Sequence, residues 1–322
     1  MRDSKYLKSV VLGFLGGCLI FTGLILSVRG IPTPSSQFVQ SLYAFKSRYA
    51  QSITEPKIMI VSGSNATYGI STPMLSQATG MPAANFGIAA GLGASYLLHR
   101  AQPLAKPGDT IVLPLEYETY ELNPYEAEPL IDYVLARDPQ YFVKHPLFIP
   151  RVSRSRLMMG IQGKFRQPPE VDSSPHLNES GDTIRNREAD ITEAQRQAIA
   201  ELTPMKIKGQ FNEQALKSIR EFAQWCRAHN IQLLATWPNT LWFKEYEQPD
   251  YQKFFQAIED FYKSIGVTVL GNYRDAMYDR SLMYDTLKYH LTDRGVKIRT
   301  QHLIELLTPY LSRANQGIRS RE

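Results

Sequence analysis

The sequence predicts a three-layer α/β domain, a parallel β-sheet between two layers of helices, preceded by one N-terminal transmembrane helix. Three observations predict it. Residues 9–28 (SVVLGFLGGCLIFTGLILSV) carry no charge. From residue 57 onward, short apolar runs alternate with amphipathic helical patterns, the rhythm of βαβ units. The apolar runs are also unbroken rather than alternating, as strands buried on both faces require. Of the 322 residues, 43% are hydrophobic and 21% charged, which fits a folded chain of one large domain, or one domain with an insertion.

The first element is the anchor. About 20 apolar residues at about 1.5 Å each cross a bilayer core. Arg2, Lys5 and Lys8 precede the run and only Arg29 is close behind it. The positive-inside bias therefore predicts a single-pass protein with its N-terminus in the cytoplasm and its main domain on the periplasmic or extracytoplasmic side. A cleaved signal peptide is the competing reading, but the run is long for one and no A-x-A-like site follows. LGGC at 15–18 resembles a lipobox, yet it sits in the middle of the run.

Composition excludes several functions. The net charge of +5 comes without a dense Lys/Arg block interleaved with aromatics, so nucleic acid is not expected as a partner. A mildly basic chain suits a position beside anionic lipid, and the membrane is the expected partner. Two cysteines, one inside the apolar run, exclude a disulfide framework, and no CxxC or Cys/His cluster suggests zinc. The Gly-rich GIAAGLG lacks GxGxxG spacing and no GxxxxGK[ST] occurs, so neither metal nor cofactor is expected.

The elements follow in order. Residues 1–29 are the cytoplasmic tip and anchor. Residues 30–56 read as a stalk with room for a short helix, its start kept extended by Pro32 and Pro34. The α/β domain occupies 57–322. IMIV (58–61) reads as a buried strand. STPMLSQATG (71–80) reads as a short helix capped by Thr72, with Pro73 at its first position and Gly80 closing it. PAANFGIAAGLG (82–93) holds a second strand and a Gly-rich turn, ASYLLHRAQPLA a helix, and TIVLPL a third strand. An insertion at about 124–205 breaks the rhythm; it carries some helix at its start and end and a polar loop between. The rhythm resumes with a helix from 211, the strand IQLLATW (231–237), a helix over 251–266, the strand VTVLG (267–271), and a last helix over 291–311 capped by Thr292.

An open parallel sheet places its sites beyond the strand C-termini. Ser64 follows the first strand in KIMIVSGSNATYG (57–69). A serine hydroxyl needs a base within hydrogen-bond reach and donors for the oxyanion. His290, just before the last helix, stands out among six histidines, and Asp285 lies five residues before it. One loop could supply both the base and the carboxylate that orients it.

These blocks resemble the SGNH (GDSL-like) hydrolase superfamily, whose three-layer domain is flavodoxin-like in architecture. SGSN (62–65) is similar to its first block, NFGIAAG (85–91) to its second and YDTLKYHLTDRG (284–295) to its last; together with the intervening strands the resemblance spans about residues 57–123 and 210–311. It implies Ser64 as nucleophile, His290 as base and Asp285 as its orienter. It also implies an oxyanion and substrate-binding set drawn from Gly91 or Ala90, Asn65, Asn85 and Glu116. Three departures stand out. The spacing is DxxxxH rather than DxxH. Ala90 sits where the second block has its oxyanion glycine. The third block reads LPLEYETY (113–120), with Glu116 near the place of an asparagine. A single anchor with an outside SGNH-like domain looks most like proteins of cell-envelope polysaccharide O-acylation, such as alginate O-acetylation components and the D-alanyl transfer protein of teichoic acid. The resemblance thus implies a serine acyl-esterase or O-acyltransferase acting on cell-envelope or exported polysaccharide, with a membrane-bound O-acyltransferase as a partner.

A second class of function fits the same residues. A non-catalytic glycan-binding or scaffold module would keep the fold and need no competent triad. A cleft lined by Tyr68, Tyr117 and Tyr120 would suit sugar in either case. The two readings separate on whether Ser64 and His290 come within hydrogen-bond reach.

Overall fold

The computed structural model describes residues 2–166, 171–172 and 176–319. In chain order the elements are α1 (Arg2–Ser27), α2 (Pro34–Ser52), β1 (Ile58–Ser62), α3 (Ser64–Thr67), α4 (Thr72–Thr79), β2 (Ala83–Gly87), α5 (Gly93–Ala101), β3 (Thr110–Leu113) and α6 (Glu118–Glu121). Then come α7 (Glu128–Arg137), α8 (Pro139–Lys144), α9 (Arg154–Phe165), α10 (Glu193–Ala200), α11 (Glu213–Ala228), β4 (Gln232–Thr236) and β5 (Thr240–Leu241). The chain ends with α12 (Pro249–Ser264), β6 (Thr268–Leu270), β7 (Met277–Tyr278) and α13 (Asp293–Arg319). It divides into two compact units, residues 1–40 with 125–172, and residues 41–124 with 173–322.

The second unit is α/β. Its five strands are all parallel, in the order β2-β1-β3-β4-β6, with a separate two-stranded pair of β5 and β7. Every residue of β1, β2 and β3 is buried, which is why these segments read as continuous apolar runs. Ile58, Ile60, Val112, Leu234 and Leu270 of the sheet pack with Leu75 of α4 and with Leu303, Leu307 and Leu311 of α13. Side chains alternate across a strand, so Met59, Val61, Ile111 and Leu113 face the other way and are equally buried. On that side α5 packs against α11. Strand order reverses at β1, whose neighbours are β2 and β3, so the crevice of an open sheet falls beyond the C-terminal ends of β1 and β3. The opposite edge is pinned by a buried ion pair. Lys57 Nζ meets Asp109 Oδ2 at 2.7 Å, and Asp109 Oδ1 accepts the Lys57 N–H at 3.0 Å.

Several helix ends follow the sequence chemistry. Thr292 Oγ1 accepts the Gly295 N–H at the start of α13. Asn212 caps α11 through the N–H groups of Gln214 and Ala215. Gly80 closes α4 at φ 71°, a conformation that costs glycine little. The start of α4 differs from expectation. Ser71, not Thr72, is the cap, and the buried Thr72 hydroxyl meets Ser180 and Asp182 instead.

The expected stalk is also different. Pro34 occupies the first helical position, where its missing N–H costs nothing, and α2 continues for 19 residues. Tyr43 of α2 is fully buried and packs against Phe86 and Tyr96.

The first unit is helical. Within it, α1 contains a 23-residue stretch, Lys5–Ser27, long and apolar enough to cross a membrane. Just after it, Gly30 N–H bonds Leu135 O at 2.9 Å, and Thr33 Oγ1 donates to Asp132 at 2.6 Å. Arg156 of α9 pairs with that same Asp132 and donates to Ile31 O.

Candidate active site

Ser64 is the first residue of α3, at the turn that ends β1. Its half-buried hydroxyl lies 2.9 Å from His290 Nε2, and His290 Nδ1 lies 2.8 Å from Asp285 Oδ2. With Nδ1–H donating to the carboxylate, Nε2 is left as acceptor for the Ser64 O–H. The structure thus joins Ser64, His290 and Asp285 in one hydrogen-bonded line. His290 is 4% exposed and the Asp285 side chain 27%, so the imidazole is sheltered while the outer end of the line reaches solvent.

The DxxxxH spacing is accommodated by a folded loop. Asp285 Oδ1 accepts the Leu287 N–H at 2.8 Å, an Asx turn. His290 N–H then bonds Leu287 O, and Tyr284 N–H bonds His290 O. The loop doubles back on itself, which takes up the two additional residues and returns the imidazole to the aspartate.

The ring is held from the side as well. Tyr68 stacks on His290 with centroids 4.0 Å apart and planes 7° from parallel. Its carbonyl accepts the Leu291 N–H. Burial, then the nearby Asp285 charge, push the Tyr68 phenol above its ordinary pKa. Tyr68, expected in a sugar cleft, braces the imidazole. Tyr117 and Tyr120, expected in the same cleft, are buried instead. Tyr117 lies among Trp237, Phe254 and Phe255, and the Tyr120 hydroxyl meets that of Tyr262 at 2.9 Å. Their apolar rings gain more from the core than from solvent.

Glu116 is not an oxyanion group. It is fully buried at the end of β3, and its carboxylate grips the turn that carries Ser64 from behind. Oε2 accepts the Gly63 N–H at 2.9 Å and approaches the Ser62 hydroxyl at 3.0 Å; Oε1 accepts the Asn65 N–H at 3.0 Å. Asn65 is equally buried and braces the same turn, its Nδ2 donating to Ser62 Oγ and Pro114 O. Asn85 turns inward too. It donates to Ala66 O and Asp182 and accepts the Gly87 N–H. None of these three side chains reaches toward a ligand.

The backbone donors remain. The N–H groups on either side of Ser64 are taken by Glu116. The Ser64 N–H heads α3 and has no acceptor within that helix. Ala90 begins a short 3₁₀ turn, Ala90–Leu92, that also contains Gly91. A Cβ built on Gly63 would sit 2.4 Å from the Ala90 nitrogen. The Ala90 nitrogen therefore lies beside the turn that carries Ser64.

Beneath the turn lies Lys46 of α2, which sequence reasoning missed. Its Nζ donates to Thr67 Oγ1 at 2.7 Å and Gly87 O at 2.6 Å, linking the helix of Ser64 to the strand before Ala90. Burial lowers its pKa to about 7, against the opposing pull of Asp182. Burial raises the Asp182 carboxyl in turn, while hydrogen bonds from Asn178, Asn85 and Thr72 hold it down.

No family model matches the chain, and no curated protein matches it. Among solved structures it is similar to one from Streptococcus pneumonia described as “a putative platelet activating factor”. The two share 14% identity at a TM-score of 0.42, over 85% of this chain and 94% of that one.

Proposed function

We propose that this protein is a membrane-anchored serine acyl-esterase or O-acyltransferase. The observation that carries the reading is the line Ser64–His290–Asp285, with both hydrogen bonds under 3 Å. A binding module has no need of it. Ser64 Oγ attacks the acyl carbonyl and its proton passes to His290 Nε2, while Asp285 holds the Nδ1–H tautomer and favours the imidazolium. The N–H groups of Ser64 and Ala90 receive the oxyanion. Collapse expels the alcohol, which takes the proton from His290. Water or a sugar hydroxyl then attacks the acyl-serine, giving hydrolysis or transfer, and His290 serves again as base.

The substrate class, cell-envelope or exported polysaccharide, rests on the resemblance of SGSN, NFGIAAG and YDTLKYHLTDRG to the SGNH blocks. A membrane-bound O-acyltransferase as partner has the same basis. The anchor reading, with the N-terminus cytoplasmic and the second unit outside, rests on the apolar helix and the flanking Arg2, Lys5 and Lys8.

The test is a fluorophosphonate probe on the full chain in detergent, beside Ser64→Ala and His290→Ala. Labelling that disappears in Ser64→Ala and slows by about 10²–10⁴-fold in His290→Ala supports the reading. A folded wild type that does not label removes it, and glycan binding becomes the reading to pursue.

A further inference from the structure

We propose that the first unit carries a second membrane-binding surface, made by α8, α9 and the turn between them, which lies on the extracytoplasmic face of the bilayer that α1 crosses and meets anionic lipid there. The inference rests on the reading of α1 as an anchor.

Outside α1, nine large apolar side chains are exposed among the described residues. Six of them belong to the first unit, although it holds the smaller part of the remaining chain. Phe165 is 87% exposed, and Val143, Leu147, Met158 and Met159 are each about half exposed. Helix α9 is inverted. It buries Arg156, Gly160 and Gly163 and turns Met158, Met159 and Phe165 outward, whereas a helix on a water-facing surface does the reverse. An outward apolar face next to charge is the pattern of an interfacial helix.

The position of α9 supplies the occupant. A Cβ on Gly160 would come 2.7 Å from Val28, and one on Gly163 would come 2.6 Å from Ile31. The two glycines let α9 lie directly against the chain as it leaves α1, whose last residue is Ser27. With α1 across the bilayer, that point is the membrane surface. Charge agrees. Residues 28–40 and 125–166 carry eight basic side chains against four acidic ones, and Lys144, Arg154, Lys164 and Arg166 stand exposed beside the apolar residues. Basic side chains at this depth attract anionic headgroups.

The test uses the full chain with Cys18→Ser, in nanodiscs of phosphatidylcholine and phosphatidylglycerol in equal parts; the other cysteine, Cys226, is buried. An NBD fluorophore is attached at Met158→Cys or Phe165→Cys. Ile298→Cys, 48% exposed in the second unit, is the aqueous reference, and Phe14→Cys reports α1. The expected result is loss of iodide quenching and gain of quenching by doxyl-lipid at 158 and 165, with the opposite at 298. The protection weakens without phosphatidylglycerol, and at about 1 M salt, where the Debye length is about 3 Å. Labels at 158 and 165 as open to iodide as 298, with 14 quenched by lipid, overturn the inference and leave the anchor standing. A label at 14 that is open to iodide overturns the anchor and the inference together. Protection seen in native membranes but not in nanodiscs assigns the surface to a protein and overturns the lipid.

Discussion

Replacing Glu116 by glutamine isolates the grip on the turn that carries Ser64. The substitution keeps the side-chain volume and removes one of two acceptors. Oε1 serves the Asn65 N–H and Oε2 the Gly63 N–H. A glutamine amide can satisfy one of these, and its NH₂ then faces the other, donor against donor. A buried donor left without a partner costs about 1–3 kcal/mol, and a loss in that range is expected. Glu116→Ala strands both N–H groups, on the order of 2–6 kcal/mol. The Ser62 hydroxyl adds little, because it also reaches Pro114 O at 2.5 Å. Against a typical domain stability of about 5–15 kcal/mol, the glutamine variant stays folded. Urea unfolding followed by tryptophan fluorescence measures the loss, and the fluorophosphonate labelling rate measures the effect on Ser64. Both fall together if the carboxylate positions the turn. A glutamine variant within about 0.5 kcal/mol of wild type that labels at the wild-type rate refutes the reasoning.

Three further outcomes are expected. Asp285→Asn keeps an acceptor for the Leu287 N–H but presents an amide donor to His290 Nδ1, so the imidazole takes the wrong tautomer; labelling should slow by about 10²–10⁴-fold with the melting temperature little changed. Lys46 has a folded pKa near 7 and an unfolded value near 10.5. The unfolded chain therefore binds the extra proton between those values, and unfolding free energy should rise across that window, by up to a few kcal/mol, and be lost again as pH falls toward 7. Urea midpoints through the window should show the slope in wild type and a flatter one in Lys46→Met; equal slopes contradict it. Asp109→Ala leaves Lys57 buried without its partner and should cost about 3–5 kcal/mol. Because this pair lies at the N-terminal edge of the sheet, the fraction that remains folded should label at the wild-type rate.

Much of the fold was legible because burial on both faces writes itself as uninterrupted apolar runs. IMIV and TIVL became β1 and β3 for that reason. The positions of Ser64 and His290 were legible because each sits at a break in that rhythm. What escaped lies in local backbone geometry and in contacts distant in sequence. Pro32 and Pro34 read as breakers, yet a proline at the first helical position starts α2 rather than preventing it. Asp285 reaches His290 only through an Asx turn that spacing does not reveal. Glu116 read as a polar group facing the substrate, but its partners are main-chain N–H groups, which leave no mark in side-chain pattern. Tyr117 and Tyr120 illustrate the same limit. An aromatic beside a strand end serves core and cleft equally well until its neighbours are known.

The separation of Ser64 from its base has a consequence for biosynthesis. The two residues are 226 positions apart. At about 5–20 residues per second, the ribosome delivers His290 roughly 11–45 s after Ser64. Through that interval α1 is already made and available to the membrane, and β1 can find β2 and β3, its neighbours in both sequence and space. The hydroxyl meanwhile has nothing to take its proton. A nascent chain halted anywhere before Asp285 should be inert toward acyl esters, so the chemistry proposed here begins only when the closing helix α13 emerges and seats the loop that precedes it.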